Sequence, residues 1–243
     1  MENVLLIGVT RQMTLRREMS IIANNLANVN TAGFKAESPM FEEFEMRLAR
    51  EESPDKTLSF VQDYGLNRNF APGKLMTTGA PLDVAISGEG FFKIQTPDGT
   101  RYTRDGHFQL DAQGRLVTQD GHPVLNDAGG QFTFAPEDGD ISIASDGTVS
   151  TTAGQVGKLG IVDFAEHSQM KKVGSNLYET EQVELPAADF KIAQGMIELS
   201  NVQAIVEMTN MIEVLRSYTS ASKLVDDVSE LQRRAVSQLG RLN

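Results

Sequence analysis

The sequence predicts an α+β protein with long N- and C-terminal helices that pair as a coiled coil, a central antiparallel β domain and an extended arm. Apolar residues recur at helical spacing near both ends, and short apolar runs alternate with Asp-Gly turns in the middle. Residues 81–190 carry a net charge of −10, whereas residues 1–34 carry +1 and residues 191–243 carry zero. Near-neutral ends favour packing against protein, and an acidic middle favours solvent.

The N-terminal helix is predicted from apolar positions that alternate in steps of three and four, which is a roughly 3.5-residue repeat. Only Gly8 and Gln12 interrupt it, and a helix over residues 3–29 would be on the order of 40 Å long. Gly33 is the predicted stop, because glycine takes the left-handed cap conformation without steric cost. This N-terminal stripe comprises Leu5, Leu15, Met19, Ile22, Leu26 and Val29.

The C-terminal helix is predicted to begin at a capping box formed by Ser200 and Gln203. No Gly or Pro occurs between positions 196 and 239, so the helix would span about 40 residues, or roughly 60 Å. A domain of this size does not cover so long an apolar stripe, so another chain or the N-terminal helix must lie alongside. This C-terminal stripe comprises Ile205, Met208, Ile212, Leu215, Leu224, Val228, Leu231, Ala235 and Leu242.

Between the helices, short runs such as Phe91–Ile94 and Phe108–Leu110 have strand length and strand composition. Asp-Gly pairs separate them at positions 98, 105, 120, 138 and 146, which is typical of an antiparallel β domain. The predicted organisation is an N-terminal helix over 1–34, an extended linker or hairpin over 35–80, a β domain over 81–190 and a C-terminal helix over 191–243.

Composition excludes several classes of protein. The 243 residues contain no cysteine, which rules out disulfides, thiolate nucleophiles and Cys-ligated metals. A net charge of −11 disfavours nucleic acid and anionic membrane surfaces as partners. No apolar run reaches the roughly 18 residues that span a bilayer, and no basic segment precedes an apolar one at the N-terminus. We therefore expect neither membrane insertion nor a cleaved signal peptide.

Motifs for catalysis and ligand binding are missing or incomplete. Gly88-Glu89-Gly90 lacks the third glycine of a dinucleotide fingerprint and is not followed by a predicted helix. The three histidines show no second histidine at the helical spacing of a zinc site. We expect no enzyme activity, no catalytic or metal-binding residues, no cofactor and no small-molecule substrate. A hydrolase on the β scaffold stays as a distant alternative, since any two of 33 acidic residues could pair.

The segment from Ala23 to Lys35 contains asparagines at positions 24, 25, 28 and 30. Asparagine is unfavourable inside a helix because its amide competes for backbone hydrogen bonds. Two interpretations stay open on physical grounds. The segment is either a frayed, asparagine-capped helix end or a set of amides that bind neighbouring chains.

The segment Ala23 to Lys35 also resembles the N-terminal signature of bacterial flagellar rod, hook and hook-associated proteins. Gly79 to Phe92, Tyr102 to Gly106 and Gly121 to Leu125 resemble the core of the basal-body rod proteins, and positions between Gln194 and Ile212 resemble their C-terminal signature. The similarity covers essentially the whole chain in order. Its length and opening residues resemble the proximal rod protein more than the distal one, with the distal rod protein or another axial protein as the alternative.

The resemblance implies a structural subunit that polymerises helically into the drive shaft carrying motor torque to the hook. It also implies self-association, contact with other rod proteins, export by the flagellar type III apparatus and a place in the rod that crosses the periplasm. A monomeric adhesion module is a further alternative. We expect the subunit interface to contain Leu15, Met19, Ile22, Asn24, Asn25, Leu26, Asn28, Val29, Asn30, Asn201, Ile205, Met208, Ile212, Leu215, Leu224 and Val228.

Overall fold

The computed structural model describes residues 2–47 and 57–239. The chain forms two compact units, each assembled from separate stretches of sequence. A helical unit contains residues 1–27, 37–69 and 203–243, and a β unit contains residues 28–36 and 70–202. This division differs from the four consecutive segments that the sequence predicts, because the chain passes between the units four times. The predicted stripe residue Leu242 lies outside the described residues.

The helical unit is built on two helices, α1 (Glu2–Ala27) and α2 (Ala204–Leu239). Their 26 and 36 residues correspond to lengths of about 39 and 54 Å. The helices pack against each other through a small core of Leu15, Ile22 and Val214. Partly buried side chains surround this core, namely Met19, Met211, Tyr218 and Ala221.

The ends of both helices differ from the prediction. α1 ends at Ala27, so Gly33 is not its cap, although Gly33 does have a positive φ of 66°. A Cβ at Gly33 would lie 2.5 Å from the backbone nitrogen of Asp105, so this residue is a glycine because two segments approach closely there. Ser200 does not cap α2, because the helix begins at Ala204; the Oγ of Ser200 accepts from the amide of Val202 at 3.2 Å, in the segment before the helix.

Two long strands follow α1, β1 (Glu37–Arg47) and β2 (Thr57–Arg68), and they pair in antiparallel register. The register shifts between Met40 and Phe41, which is a β-bulge. An ion pair of 2.9 Å between Arg68 Nε and a Glu37 carboxylate oxygen closes the base of this hairpin. The hairpin belongs to the helical unit.

The β unit consists of short strands in which every pairing is antiparallel. Its largest sheet has six strands in the order β13-β14-β6-β5-β12-β15, and a second sheet has the order β11-β10-β9. Three further pairs are β4 with β16, β3 with β17, and β7 with β8. The strands are β3 (Leu75–Thr77), β4 (Val84–Gly88), β5 (Phe91–Thr96), β6 (Gly99–Thr103), β7 (Phe108–Leu110), β8 (Leu116–Thr118), β9 (Ser142–Ile143), β10 (Thr148–Thr151), β11 (Gly154–Lys158), β12 (Ile161–Asp163), β13 (Lys171–Gly174), β14 (Leu177–Glu179), β15 (Leu185–Pro186), β16 (Phe190–Gln194) and β17 (Met196–Glu198).

Two apolar clusters form the interior of the β unit. The larger cluster gathers side chains from most strands, including Phe92, Ile94, Phe108 and Val149. The smaller one is aromatic and contains Phe91, Tyr102, Phe164 and Tyr178 together with Met170 and Val162. The predicted strands at 91–94 and 108–110 are confirmed, as is the antiparallel β domain.

Three of the five Asp-Gly pairs lie in turns, and the pair at 138–139 ends a 3-10 helix (Pro136–Asp138). Gly99 begins β6 after a tight turn, and Gly147 precedes β10, both with positive φ. Gly106 has a different role, because a Cβ there would lie 1.6 Å from the carbonyl oxygen of Val84. The pair at 105–106 is therefore a place of close backbone approach and not a hairpin turn.

Candidate assembly surface

The buried contact between α1 and α2 uses the predicted N-terminal stripe. Leu15 and Ile22 are buried, Met19 is partly buried against them, and Leu26 and Val29 are half-buried. Gly8, which interrupts the stripe in the sequence, is buried, and a Cβ there would lie 2.5 Å from Cγ2 of Val225. The interruption thus marks a point where the two helices approach each other closely.

The predicted C-terminal stripe does not form this contact. The α2 residues that cover Leu15 and Ile22 are Met211, Val214, Tyr218 and Ala221, on a neighbouring face of the helix. The contact between α1 and α2 of one chain therefore leaves most of the predicted C-terminal stripe uncovered. Six residues of the predicted C-terminal stripe are exposed, and Val228 is half-buried. The exposed ones are Ile205 (82%), Met208 (54%), Ile212 (51%), Leu215 (52%), Leu224 (51%) and Leu231 (58%).

These exposed residues flank the buried face of α2 on both sides. At 100° per residue, the side chains from Ile205 to Leu215 fall within an arc of about 80° on one side of Val214. Leu224 and Leu231 fall on the other side, so the predicted stripe is two patches and not one. We call Ile205, Met208, Ile212 and Leu215 the α2 patch. A helix that is apolar well beyond its buried face is typical of one that packs against more than one neighbour.

A smaller apolar group lies on α1, on the side opposite its buried stripe. Leu6 and Val9 are nearly half exposed, and Met13 is 68% exposed. At helical spacing they fall within an arc of about 60°, away from Leu15 and Ile22. Within the described residues, both helices thus carry apolar side chains that their own chain leaves open to solvent.

Asn25 is buried and hydrogen-bonded within its own chain, which differs from the expectation that it binds a neighbour. Its side-chain oxygen accepts from the amide of Glu37 at 2.9 Å, and its nitrogen donates to the carbonyl of Glu37 at 2.8 Å. The same nitrogen lies 3.2 Å from a carboxylate oxygen of Glu207 on α2. One amide therefore joins α1, the start of β1 and the first turn of α2.

The remaining asparagines differ in environment. Asn24 and Asn30 are exposed, and Asn28 is half-buried and accepts from the hydroxyl of Thr31 at 3.2 Å. Asn201 lies in the β unit, where its side chain accepts from the amide of Ala36 at 2.8 Å and donates to the carbonyl of Ala71 at 2.9 Å. The expectation that Asn24, Asn28 and Asn30 meet a neighbouring chain stays a prediction.

A buried charge cluster lies in the β unit, at residues that no sequence motif marked as a site. One carboxylate oxygen of Glu198 accepts from Nζ of Lys35 at 2.6 Å and from the amide of Gly73 at 2.7 Å. The other oxygen lies 3.4 Å from Nη1 of Arg104. The side chains of Lys35 and Glu198 are at most 1% exposed, and that of Arg104 is 4% exposed.

Two cations thus share one anion in the protein interior. Burial lowers the pKa of the Lys35 ammonium and of the Arg104 guanidinium, and the nearby Glu198 carboxylate opposes this in both cases. Lys35 also donates to the carbonyl of Ala71 at 2.9 Å, and Arg104 donates to the carbonyl of Gly88 at 2.9 Å and lies over the ring of Phe91. These contacts compensate part of the cost of burying both charges.

A signal for this cluster was present in the sequence. Lys35, Arg104 and Glu198 fall in three separate blocks that carry the resemblance to rod proteins, and a buried polar group needs partners. Sequence alone does not show that the blocks meet, because Lys35 and Glu198 are 163 positions apart.

The described residues contain no group of three or more His, Asp or Glu side chains arranged to hold a metal ion. His167 lies 2.8 Å from Asp163, which forms a pair and not a ligand set. None of the helices in the described ranges is both long and apolar enough to cross a lipid bilayer. Two long helices that leave apolar patches exposed are typical of a structural protein that assembles with other chains.

Three family profiles match the chain in order. Residues 5–35 match "Flagella basal body rod protein", residues 85–151 match "Flagellar hook protein FlgE/F/G D1 domain", and residues 193–239 match "Flagellar basal body rod FlgEFG protein C-terminal". The first profile includes Leu15, Asn25 and Lys35. The third includes Glu198 and all of α2.

Full-length relatives agree with the profiles. The flagellar basal-body rod protein FlgF of Caulobacter vibrioides is 46% identical over 100% of both chains, and FlgF of Mesorhizobium japonicum is 32% identical over 99% of both. The rod protein FlgG of Bacillus subtilis is 33% identical, covering 95% of this chain and 96% of the relative. The chain belongs to the bacterial flagellar basal-body rod protein family and is FlgF-like. It is a structural subunit of the basal body and not an enzyme.

Proposed function

We propose that this chain is a subunit of the proximal rod, where it polymerises helically with copies of itself and with other rod proteins to form the shaft that transmits torque. The observation that carries the proposal is the α2 patch, which the chain's own α1 leaves exposed. In an assembly, α1 and α2 would pair as a coiled coil, and the α2 patch would pack on a neighbouring subunit. Similarity to FlgF relatives over the whole chain supports the proximal position.

The energetics favour such packing. Burying one Leu, Ile or Met side chain is worth roughly 1.5–3 kcal/mol, and a helical polymer repeats each contact in every subunit. Four such side chains lie in the α2 patch, close to the start of the helix. Their burial would offset much of the ordering cost of association.

Further parts of the proposal rest on the family resemblance. The hairpin of β1 and β2 would serve as an extended arm toward neighbouring subunits, and the exposed Met40 and Phe41 at its bulge would contact them. The chain would leave the cytoplasm through the flagellar type III apparatus without a cleaved signal peptide. It would then reside in the rod that crosses the periplasm.

Electron microscopy of basal bodies tests the proposal. A strain lacking this chain would be complemented with an epitope-tagged wild type, with a Met208→Asp/Leu215→Asp variant, or with a Ser220→Asp control. Ser220 is an exposed polar residue on α2 outside the patch. We expect the wild type and the control to restore a complete rod labelled on its proximal part, and the double variant to leave the rod truncated.

Two results would contradict the proposal. An intact rod and hook in the strain without the chain would remove the proximal role. Full rescue by the double variant, present at normal levels, would show that the α2 patch is not an interface. Circular dichroism of the purified double variant checks that the subunit still folds.

The similarity to FlgG relatives favours one second candidate, a distal rod subunit. The same complementation distinguishes the two positions. Label on the distal rod, with the proximal rod intact in the deletion strain, would assign the distal one.

A further inference from the structure

The chain passes between the helical unit and the β unit four times. On the β-unit side, the residues next to these passages form three stretches. The first stretch, residues 28–36, lies between α1 and β1; the middle stretch begins at residue 70, after the hairpin; and the last stretch ends at residue 202, before α2. Within the β unit these stretches are bonded to one another. The amide of Gly33 donates to the carbonyl of Glu198 at 2.8 Å, and the amide of Ala36 donates to the side chain of Asn201 at 2.8 Å.

We propose that Lys35, Arg104 and Glu198 form a charge lock that holds these stretches side by side in the unassembled chain, with Glu198 as its positioning residue. Lys35 belongs to the first stretch, and Glu198 belongs to the last. Both also bind the middle stretch: Lys35 donates to the carbonyl of Ala71, and Glu198 accepts from the amide of Gly73. Arg104 anchors the group to the core strands by donating to Gly88.

The lock depends on charge as well as on shape. Glu198 is the anion that both buried cations contact. Its neutralisation leaves Lys35 without an ion-pair partner and Arg104 with only the electrostatic influence of Asp163 and Glu89, and the two cations repel each other. Removing Lys35 instead leaves one anion with one cation. The two changes therefore have unequal effects, and the second relieves part of the damage caused by the first.

The inference concerns the isolated chain, so it does not depend on the α2 patch or on a place in the rod. Its test is amide hydrogen exchange and urea unfolding of the purified, full-length chain. The variants are Glu198→Gln, Lys35→Met and the double variant Lys35→Met/Glu198→Gln. Glutamine keeps the shape and an acceptor oxygen, so Glu198→Gln removes chiefly the charge.

The matched control is Glu179→Gln. Glu179 pairs with Arg101 at 2.9 Å in the same unit, but its side chain is 36% exposed. We expect Glu198→Gln to lower protection of the Gly33, Ala36 and Gly73 amides by about a hundredfold or more, because it leaves buried charges unpaired. Lys35→Met should lower the protection of these amides by about tenfold, and Glu179→Gln should leave their protection unchanged within about twofold.

Rescue is the decisive result, because loss of packing alone does not produce it. The double variant should unfold at a higher urea concentration than Glu198→Gln alone, even though it carries one more substitution. A double variant at or below the midpoint of Glu198→Gln would overturn the proposal, as would equal effects of Glu198→Gln and Glu179→Gln. If Glu198→Gln fails to fold, a folded double variant counts as rescue, and an unfolded one contradicts the lock.

Discussion

Single residues fix where segments of this chain meet. The side-chain amide of Asn25 forms hydrogen bonds with both backbone groups of Glu37 and with the carboxylate of Glu207. Gly8 leaves room for the side chain of Val225. Both residues look unfavourable in a helix when the sequence is considered alone, since Asn and Gly have low helix propensity. Tertiary contacts account for both.

Asn25→Ala should destabilise the helical unit because it removes the two hydrogen bonds between the Asn25 side chain and the backbone of Glu37. We expect the free energy of unfolding to fall by about 2 kcal/mol, because two part-buried hydrogen bonds are lost. Asn30→Ala is the matched control, as Asn30 is exposed, and its effect should stay within about 0.5 kcal/mol. Urea unfolding followed by circular dichroism measures both, and equal effects would contradict the assigned role of Asn25.

Gly8→Val should separate α1 from α2, because a Cβ at that position would lie 2.5 Å from Val225 Cγ2. We expect a loss of helix-pair stability of about 1–3 kcal/mol, as for other overpacked sites. Adding Val225→Ala should restore part of it. If the double variant is no more stable than Gly8→Val, the two residues are not in contact.

At the scale of elements, α2 is the part of the chain where sequence and structure agree least. Helical periodicity predicted that the element exists and which α1 side chains face it, because Leu15, Met19 and Ile22 form a single clear stripe. Periodicity did not select the buried face of α2, since Val214 is flanked by apolar residues on both sides. The β strands followed from local alternation and turns, whereas the Lys35–Glu198 pair depends on a separation that no local pattern reveals.

The first turn of α2 should make stability depend on pH. Burial raises the pKa of Glu207 above its ordinary value of 4.5, and the hydrogen bond from Asn25 opposes this shift. The carboxyl group of Glu207 therefore binds a proton more tightly in the folded chain than in the unfolded chain. Its contribution to the free energy of unfolding is fully present below about pH 4.5 and is lost as the pH rises through the raised pKa. Glu207→Gln should remove it. Urea midpoints at pH 4 and pH 7 check this, and an unchanged pH dependence in the variant would contradict it.

At the scale of the whole molecule, the two units differ in how much core they possess. The β unit buries two clusters that draw on most of its strands, whereas the described side chains of the helical unit form one buried cluster of Leu15, Ile22 and Val214. A helix pair with so small a core depends on further partners for stability. The acidic surface of residues 81–190 and the nearly neutral terminal segments are consistent with that division.

The isolated chain should therefore open first in its helices. We expect amides of α1 and α2 to exchange faster than those of the β5–β6 ladder by about a hundredfold or more in dilute solution, since small cores open locally at low free-energy cost. Incorporation into basal bodies should slow exchange in α2. Helical amides that are as protected as the ladder in the dilute chain would show that the helices need no partner.

Photocrosslinking inside purified basal bodies tests the central claim most directly. The chain contains no cysteine, so Leu215→Cys provides a single attachment point for a benzophenone label in the α2 patch, and Ser220→Cys provides a control on the same helix. The account predicts adducts of this chain with itself or with another rod protein from position 215, and far fewer from position 220. Equal yields from the two positions, or none from position 215 in rods that contain the labelled chain, would contradict it.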